Sequence, residues 1–84
     1  MLIDVRPVPS YQDGHLPGAR SIPDSELPGR LTEVPREGPV VVYGATTLEA
    51  VGAYERLRQE GYSDVRVLIG GFLHWVVLKY PVER

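Results

Sequence analysis

The sequence predicts an α/β domain with a mainly parallel sheet, and three observations point there. Short β-branched segments alternate with helical ones along the chain. Val40-Val41-Val42-Tyr43 is a continuous apolar run bounded by turn residues, the pattern of a strand buried in a sheet. It feeds the clearest helix, Thr46 to Gln59, in which Ala50, Ala53, Tyr54 and Leu57 recur at i, i+3, i+4 and i+7 and give one apolar face.

The elements follow in order. Leu2-Ile3-Asp4-Val5 reads as a short apolar strand stopped by Pro7 and Pro9. Ser10 caps a turn of helix through Tyr11-Gln12-Asp13, which Gly14 ends. His15 to Ala19 is turn chemistry, and Arg20 to Pro23 reads as a very short edge strand. A helical stretch starts at Ser25-Glu26-Leu27, is interrupted by Pro28-Gly29 and resumes through Leu31 and Val34. Gly61 supplies the C-cap of the long helix. Val65 to Ile69 is a strand, Gly70-Gly71 a tight turn, and Phe72 to Leu78 a last helix before Pro81. Its stripe of Phe72, Trp75 and Val76 is predicted to be core, with a cost of ~3–5 kcal/mol for Trp75→Ala.

Composition bounds the function. Eighty-four residues allow one domain, residues 1–84. A net charge of −2 offers no basic footprint for nucleic acid and argues against anionic membranes. No run reaches the ~18 apolar residues of a membrane span. The chain starts without a secretory signal, so the cytoplasm is the expected compartment. The absence of cysteine excludes disulfides, thiolate metal sites and cysteine nucleophiles. Eight arginines to one lysine, no asparagine and eight prolines lean toward a heat-adapted host.

The strand–loop–helix join at Gly44-Ala45-Thr46-Thr47-Leu48-Glu49 is where an α/β domain builds an anion site, because backbone N–H groups converge there. This loop has no evident nucleophile. Thr46-Thr47-Leu48-Glu49 fits a capping box, with Thr46 at the N-cap and Glu49 at N3, so the sequence predicts a self-capped helix start rather than an open anion site. Unassisted threonine hydroxyls are weak nucleophiles, and neither histidine lies near them in sequence. Asp4 and Arg6 alternate with Ile3 and Val5 and so share one side of their strand, as members of an internal polar network. His74 reads as a surface residue. With Asp13 and Asp24 it makes no spaced metal motif, so no metal and no cofactor is expected. Gly70-Gly71 lacks the spacing of a dinucleotide fingerprint.

Taken in order, Leu2-Ile3-Asp4-Val5-Arg6, Tyr11, Gly14-His15-Leu16-Pro17-Gly18-Ala19, Ile22-Pro23, Val40 to Tyr43, Leu57, Gly61-Tyr62, Val65, Leu68, Gly70-Gly71-Phe72, Trp75 and Pro81-Val82 span essentially the whole chain. This series resembles a rhodanese-like domain, the sulfurtransferase-type fold shared with a group of cysteine phosphatases. The resemblance implies a parallel five-stranded sheet with helices on both faces. It also implies an active loop that opens on a persulfide-carrying cysteine after the strand matching Val40 to Tyr43. Against that pattern Gly44 stands at the cysteine position, Thr47 where a glycine is common and Glu49 where an arginine is common. The resemblance places His15 as a brace of the turn after the first strand, with Asp4 or Arg6.

It further implies a strand and helix before Leu2 that are absent here, leaving Val65 to Ile69 as an unpaired edge. A protein partner or a second copy of the chain is expected along that edge. The functional expectation is a catalytically inactive rhodanese-like domain, not an enzyme, acting as a binding or regulatory module. The alternative is a sulfurtransferase-related component of a sulfur relay that depends on a partner's cysteine. A third reading is a degenerate remnant that only folds.

Overall fold

A computed structural model describes all 84 residues, Met1–Arg84. Four parallel strands form one sheet in the order β2-β1-β3-β4, with β1 at Leu2–Asp4, β2 at Arg20–Ser21, β3 at Val40–Tyr43 and β4 at Val65–Val67. Ile3 pairs with Val42 on one side and Arg20 on the other, and Val41 pairs with Arg66. The helices are α1 (Val8–Asp13), α2 (Thr47–Gln59) and α3 (Gly71–Val77), with two single 3₁₀ turns at Leu27–Gly29 and Leu31–Glu33. The fifth strand implied by the family resemblance is not in the sheet. β4 is an outer strand, and it stops at Val67, two residues short of the predicted Ile69.

Both faces of the sheet are covered, because side chains alternate along each strand. Ile3, Val40, Val42 and Val65 join Ala50, Ala53 and Leu57 of α2, with Ile22, Leu27, Val34 and Tyr62 closing this larger cluster. Tyr43, Leu2 and Leu68 face the other way, toward Leu16, Ala19 and Tyr11, and toward Phe72 and Trp75 of α3. The predicted apolar face of α2 is therefore the one it buries.

Three local readings need correction. The first helix starts at Val8, not Ser10, because Pro9 lies in its first turn, where its missing N–H costs nothing, and Pro7 takes the N-cap. The stretch around Leu27 forms only separate 3₁₀ turns, since Pro28 and Gly29 prevent a regular helix; Leu27 is nevertheless fully buried and anchors them. On α3, Phe72 and Trp75 are half-buried and Val76 is 45% exposed, so that stripe only grazes the core. Trp75 is held at the surface by an Nε1–H bond to the Pro81 carbonyl of 2.7 Å and an edge-on contact with Tyr80. Trp75→Ala is accordingly expected to cost ~2 kcal/mol, below the range for a fully buried ring.

α2 and α3 end alike. The Tyr62 N–H returns to the Leu57 carbonyl and the Tyr80 N–H to the Trp75 carbonyl, each five residues back, around a left-handed residue. At α2 that residue is Gly61 (φ 95°); at α3 it is Lys79 (φ 61°), the only non-glycine with positive φ. A side chain in that conformation costs ~1–2 kcal/mol, partly offset by the lower unfolded-state entropy of a non-glycine residue. Lys79→Gly is expected to raise stability in chemical denaturation by about 0.5–1 kcal/mol, and a loss of stability would contradict this reading of the cap.

Candidate functional site

The chain leaves β1 toward β2 on one side and later returns as β3 on the other, so the strand order reverses between β1 and β3. Open parallel sheets bind ligands at the carboxyl ends of the strands at such a point. A cleft of about 380 Å³ lies there, between Val5-Arg6-Pro7 after β1, Pro23-Asp24-Ser25 after β2, and Gly44 with Glu49 after β3.

The loop after β3 is fixed through its carbonyls. The Phe72 N–H donates to the Gly44 oxygen at 2.9 Å and the Leu73 N–H to the Ala45 oxygen at 3.0 Å, so the loop satisfies the free N-terminal donors of α3. The Gly70 N–H donates to Thr47 Oγ1 at 2.6 Å. A Cβ at Gly71 would meet the Gly44 oxygen at 2.7 Å and Ala45 backbone atoms at 2.8 Å, and its φ is 61°, so the loop and α3 fit this closely only across a glycine.

This arrangement overturns the predicted capping box. Thr46 is the N-cap of α2, but its hydroxyl makes no capping bond and Glu49 does not reach back to it. The nearer attraction is across the loop, where the Thr47 hydroxyl takes the Gly70 N–H. The backbone N–H groups of Gly44 through Glu49 consequently donate to no protein group. Gly44 is buried, Ala45 and Thr47 are half-buried, and Thr46, Leu48 and Glu49 are exposed. Glu49 crowds Gly44: a Cβ built there would lie 2.8 Å from Glu49 Cβ and 3.3 Å from its carbonyl carbon.

Beneath the cleft lies the polar network. Asp4, fully buried, accepts from Arg6 N–H (2.9 Å), from Arg6 Nε (3.1 Å), from Arg6 Nη2 (2.7 Å) and from the Tyr43 hydroxyl (2.7 Å). Arg6 Nη2 also donates to the Gly14 carbonyl at 2.6 Å, and the Leu16 N–H donates to the Tyr43 oxygen at 3.1 Å. The Arg6 guanidinium lies 3.9 Å from the Phe72 ring centre. Burial works against the charge on Arg6, but the hydrogen bond to and charge of Asp4 outweigh it and hold Arg6 above its usual pKa. Burial pushes the Tyr43 hydroxyl well above the usual tyrosine range, and its bond to Asp4 adds to this.

Sequence reasoning paired His15 with Asp4 or Arg6. The His15 ring bonds to neither. It stacks on Tyr11 at 3.8 Å, its Nδ1 lies 2.9 Å from the Tyr11 carbonyl, and its Nε2 lies 3.9 Å from Glu83 Oε1. Only its neighbours Gly14 and Leu16 touch the network, through backbone groups. Two participants were missed. Tyr43 carried a signal, since a tyrosine ending a buried strand needs a partner for its hydroxyl. Thr47 carried none, because its partner is 23 residues away. His74 is exposed on α3, packs against Gly70 and does not line the cleft.

Electrostatically the cleft is unlike an anion pocket with a free cation. Arg6 is the one basic lining residue and is committed to Asp4, whereas Asp24 and Glu49 stand at the mouth without ion-pair partners.

Comparison with known proteins decides the family. The rhodanese-like domain model matches residues 1–77. The chain belongs to this family. The rhodanese-like domain of the Alr3790 protein from Anabaena superposes with a TM-score of 0.89 at 32% identity, covering 99% of this chain and 97% of that one. A protein named sulfurtransferase from Allochromatium vinosum is 30% identical over 98% of this chain and 77% of its own length. The HTH-type transcriptional regulator Rv0324 of Mycobacterium tuberculosis is 40% identical over 99% of this chain, which spans only 37% of that relative. The chain likewise spans 59% of YqhL from Bacillus subtilis, to which it is 38% identical.

Replacing Tyr43 by Phe is expected to cost ~1–2 kcal/mol, since the Leu16 N–H loses its acceptor and Asp4 a donor. The pH dependence has a definite sign. The contribution of Tyr43 to stability is complete below its ordinary pKa of 10.0 and falls as pH rises above it, because the unfolded tyrosine releases its proton first. Melting curves at alkaline pH should show a steeper loss for the native protein than for Tyr43→Phe; equal slopes would contradict the assignment.

Proposed function

We propose that this rhodanese-like domain is a non-catalytic binding module. The observation that carries the reading is the state of Gly44. In the sulfurtransferases that the chain resembles, the residue after the strand matching β3 is a cysteine that carries a persulfide. Here that residue has no side chain, and Glu49 already crowds the space a Cβ would need. A persulfide requires a thiolate, and the chain has no cysteine anywhere. Thr47 offers no thiol, and its hydroxyl accepts the Gly70 N–H. The names of the relatives do not choose between activities, since one is a sulfurtransferase and another a transcriptional regulator.

One observation favours a second reading. The unpaired N–H groups of Gly44 to Glu49 form a cradle for negative charge. A persulfide or thiolate brought by another protein would find hydrogen-bond donors there, as in a sulfur relay whose cysteine is supplied in trans. The carboxylates of Glu49 and Asp24 at the mouth weigh against it.

Thiosulfate:cyanide sulfur transfer separates these cases. Gly44→Cys alone is expected to give no turnover above buffer and a lower melting temperature, because the new Cβ forces the first turn of α2 to move. Glu49→Arg in addition removes the negative charge but keeps a Cβ at 49, so it should restore at most weak turnover. Robust turnover by Gly44→Cys alone would overturn the reading that the site is closed. A rate with the unmodified chain and a cysteine-bearing rhodanese together well above that of the rhodanese alone would favour the relay.

A further inference from the structure

The cleft holds two sets of polar groups that the chain itself leaves without partners. The first is the pair of carboxylates of Asp24 and Glu49, which are exposed, line the cleft and form no ion pair. They are neighbours: Asp24 Oδ1 stands 3.9 Å from where a Cβ on Gly52 would lie, one turn along α2 from Glu49. The second set is the backbone N–H groups from Gly44 to Glu49, none of which donates within the protein. Arg6 adds no net charge to the lining, because Asp4 beneath it cancels it.

We propose that the cleft receives a basic side chain, arginine or lysine, from an extended segment of a partner protein, whose backbone carbonyls accept from the free loop N–H groups. The inference rests on the reading of this domain as a non-catalytic binding module and names the chemistry of what it binds. The two unpartnered sets select that chemistry together. A small anion such as thiosulfate matches the N–H groups but meets two carboxylates with no free cation to offset them. A metal ion suits the carboxylates, but no third acidic or histidine side chain joins them. It would also leave the N–H groups unmatched and set positive charge beside the positive end of α2. A polypeptide with a basic side chain answers both sets at once. Its carbonyls accept hydrogen bonds without carrying net negative charge, and its cation meets the carboxylates.

The shape agrees. At about 380 Å³ the cleft is at the small end of ligand pockets, a space for a side chain rather than a folded surface. Val5, Pro7 and Pro23 give it apolar walls along which the methylene stem of a basic side chain can lie. Gly52, exposed beside the two acids, presents no side chain to hold a partner's backbone away.

The position leaves the cleft accessible to such a segment. It opens at the carboxyl ends of β1, β2 and β3, and the outer strand β4 contributes none of its lining. Met1, which precedes β1, lies at the opposite end of this parallel sheet.

Amide NMR of the isotope-labelled chain tests this with an end-capped glycine pentapeptide carrying arginine at its centre, the same peptide with glutamine there, sodium thiosulfate and calcium chloride. The arginine peptide is expected to shift the amides of Asp24, Ser25 and Gly44 to Glu49, with a dissociation constant in the low millimolar range. It should bind about tenfold more tightly than the glutamine peptide. Asp24→Asn combined with Glu49→Gln, both at exposed positions, should weaken it by about tenfold and leave the rest of the spectrum unchanged. If the double variant folds poorly, each single variant repeats the test and should weaken binding by about threefold. Three results would overturn the proposal. The arginine peptide could bind no more tightly than the glutamine peptide. Folded variants could bind it as well as the native chain does. Thiosulfate or calcium could shift the loop at a lower concentration than the arginine peptide. The intact mass after thiosulfate tells this failure from failure of the non-catalytic reading: loop shifts at unchanged mass sink only the basic partner, whereas a gained sulfur atom sinks the reading beneath it.

Discussion

The buried carboxylate of Asp4 holds the functional end of this domain in shape. It accepts the backbone and side chain of Arg6 and the hydroxyl of Tyr43, and so ties the end of β1 to the end of β3. Through Arg6 to the Gly14 carbonyl, and Tyr43 to the Leu16 N–H, the same group sets where the chain turns after α1. What a lost partner costs depends on what it leaves behind: ~1–2 kcal/mol for the Tyr43 hydroxyl, since Asp4 keeps its bonds to Arg6, and ~3–5 kcal/mol for Arg6, whose loss leaves the buried carboxylate without a countercharge. The network therefore gives the cleft its floor. It also takes the one arginine of the cleft out of service for any ligand.

The loop above that floor is organised by a division of its backbone groups. Its carbonyls satisfy the N-terminal donors of α3, and the Thr47 hydroxyl holds Gly70, while its N–H groups are left without protein partners. An anion cradle survives in outline. Around it stand a glycine, Gly44, at the start of the loop and the carboxylate of Glu49 in the first turn of α2. A site of this kind can retain shape and hydrogen-bond donors with no reactive atom. That is the physical basis of the proposed recognition role.

Much of this was legible in the sequence. β3, α2 and the apolar face of α2 followed from a β-branched run and a helical period, both local patterns that the tertiary structure reinforces. The family followed from many weak blocks in order. Other features turned on contacts between residues distant in sequence. Thr46-Thr47-Leu48-Glu49 carries a good local capping signal, but Thr47 is drawn to Gly70 by the packing of α3, and the box does not form. Asp4 and Arg6 were readable as a pair because they alternate on one strand. That His15 stacks on Tyr11 instead of joining them depends on the path of the α1–β2 connection and on Glu83 near the other end of the chain. The stripe on α3 was misjudged for a general reason: helical period shows that a face is apolar, not which face the core accepts.

The central claim is that the loop after β3 holds no group able to carry sulfur covalently. Its most direct test is the mass of the intact protein after incubation with thiosulfate. An unchanged mass is expected, before and after cyanide. A gain of one sulfur atom per chain, discharged by cyanide as thiocyanate, would contradict the account.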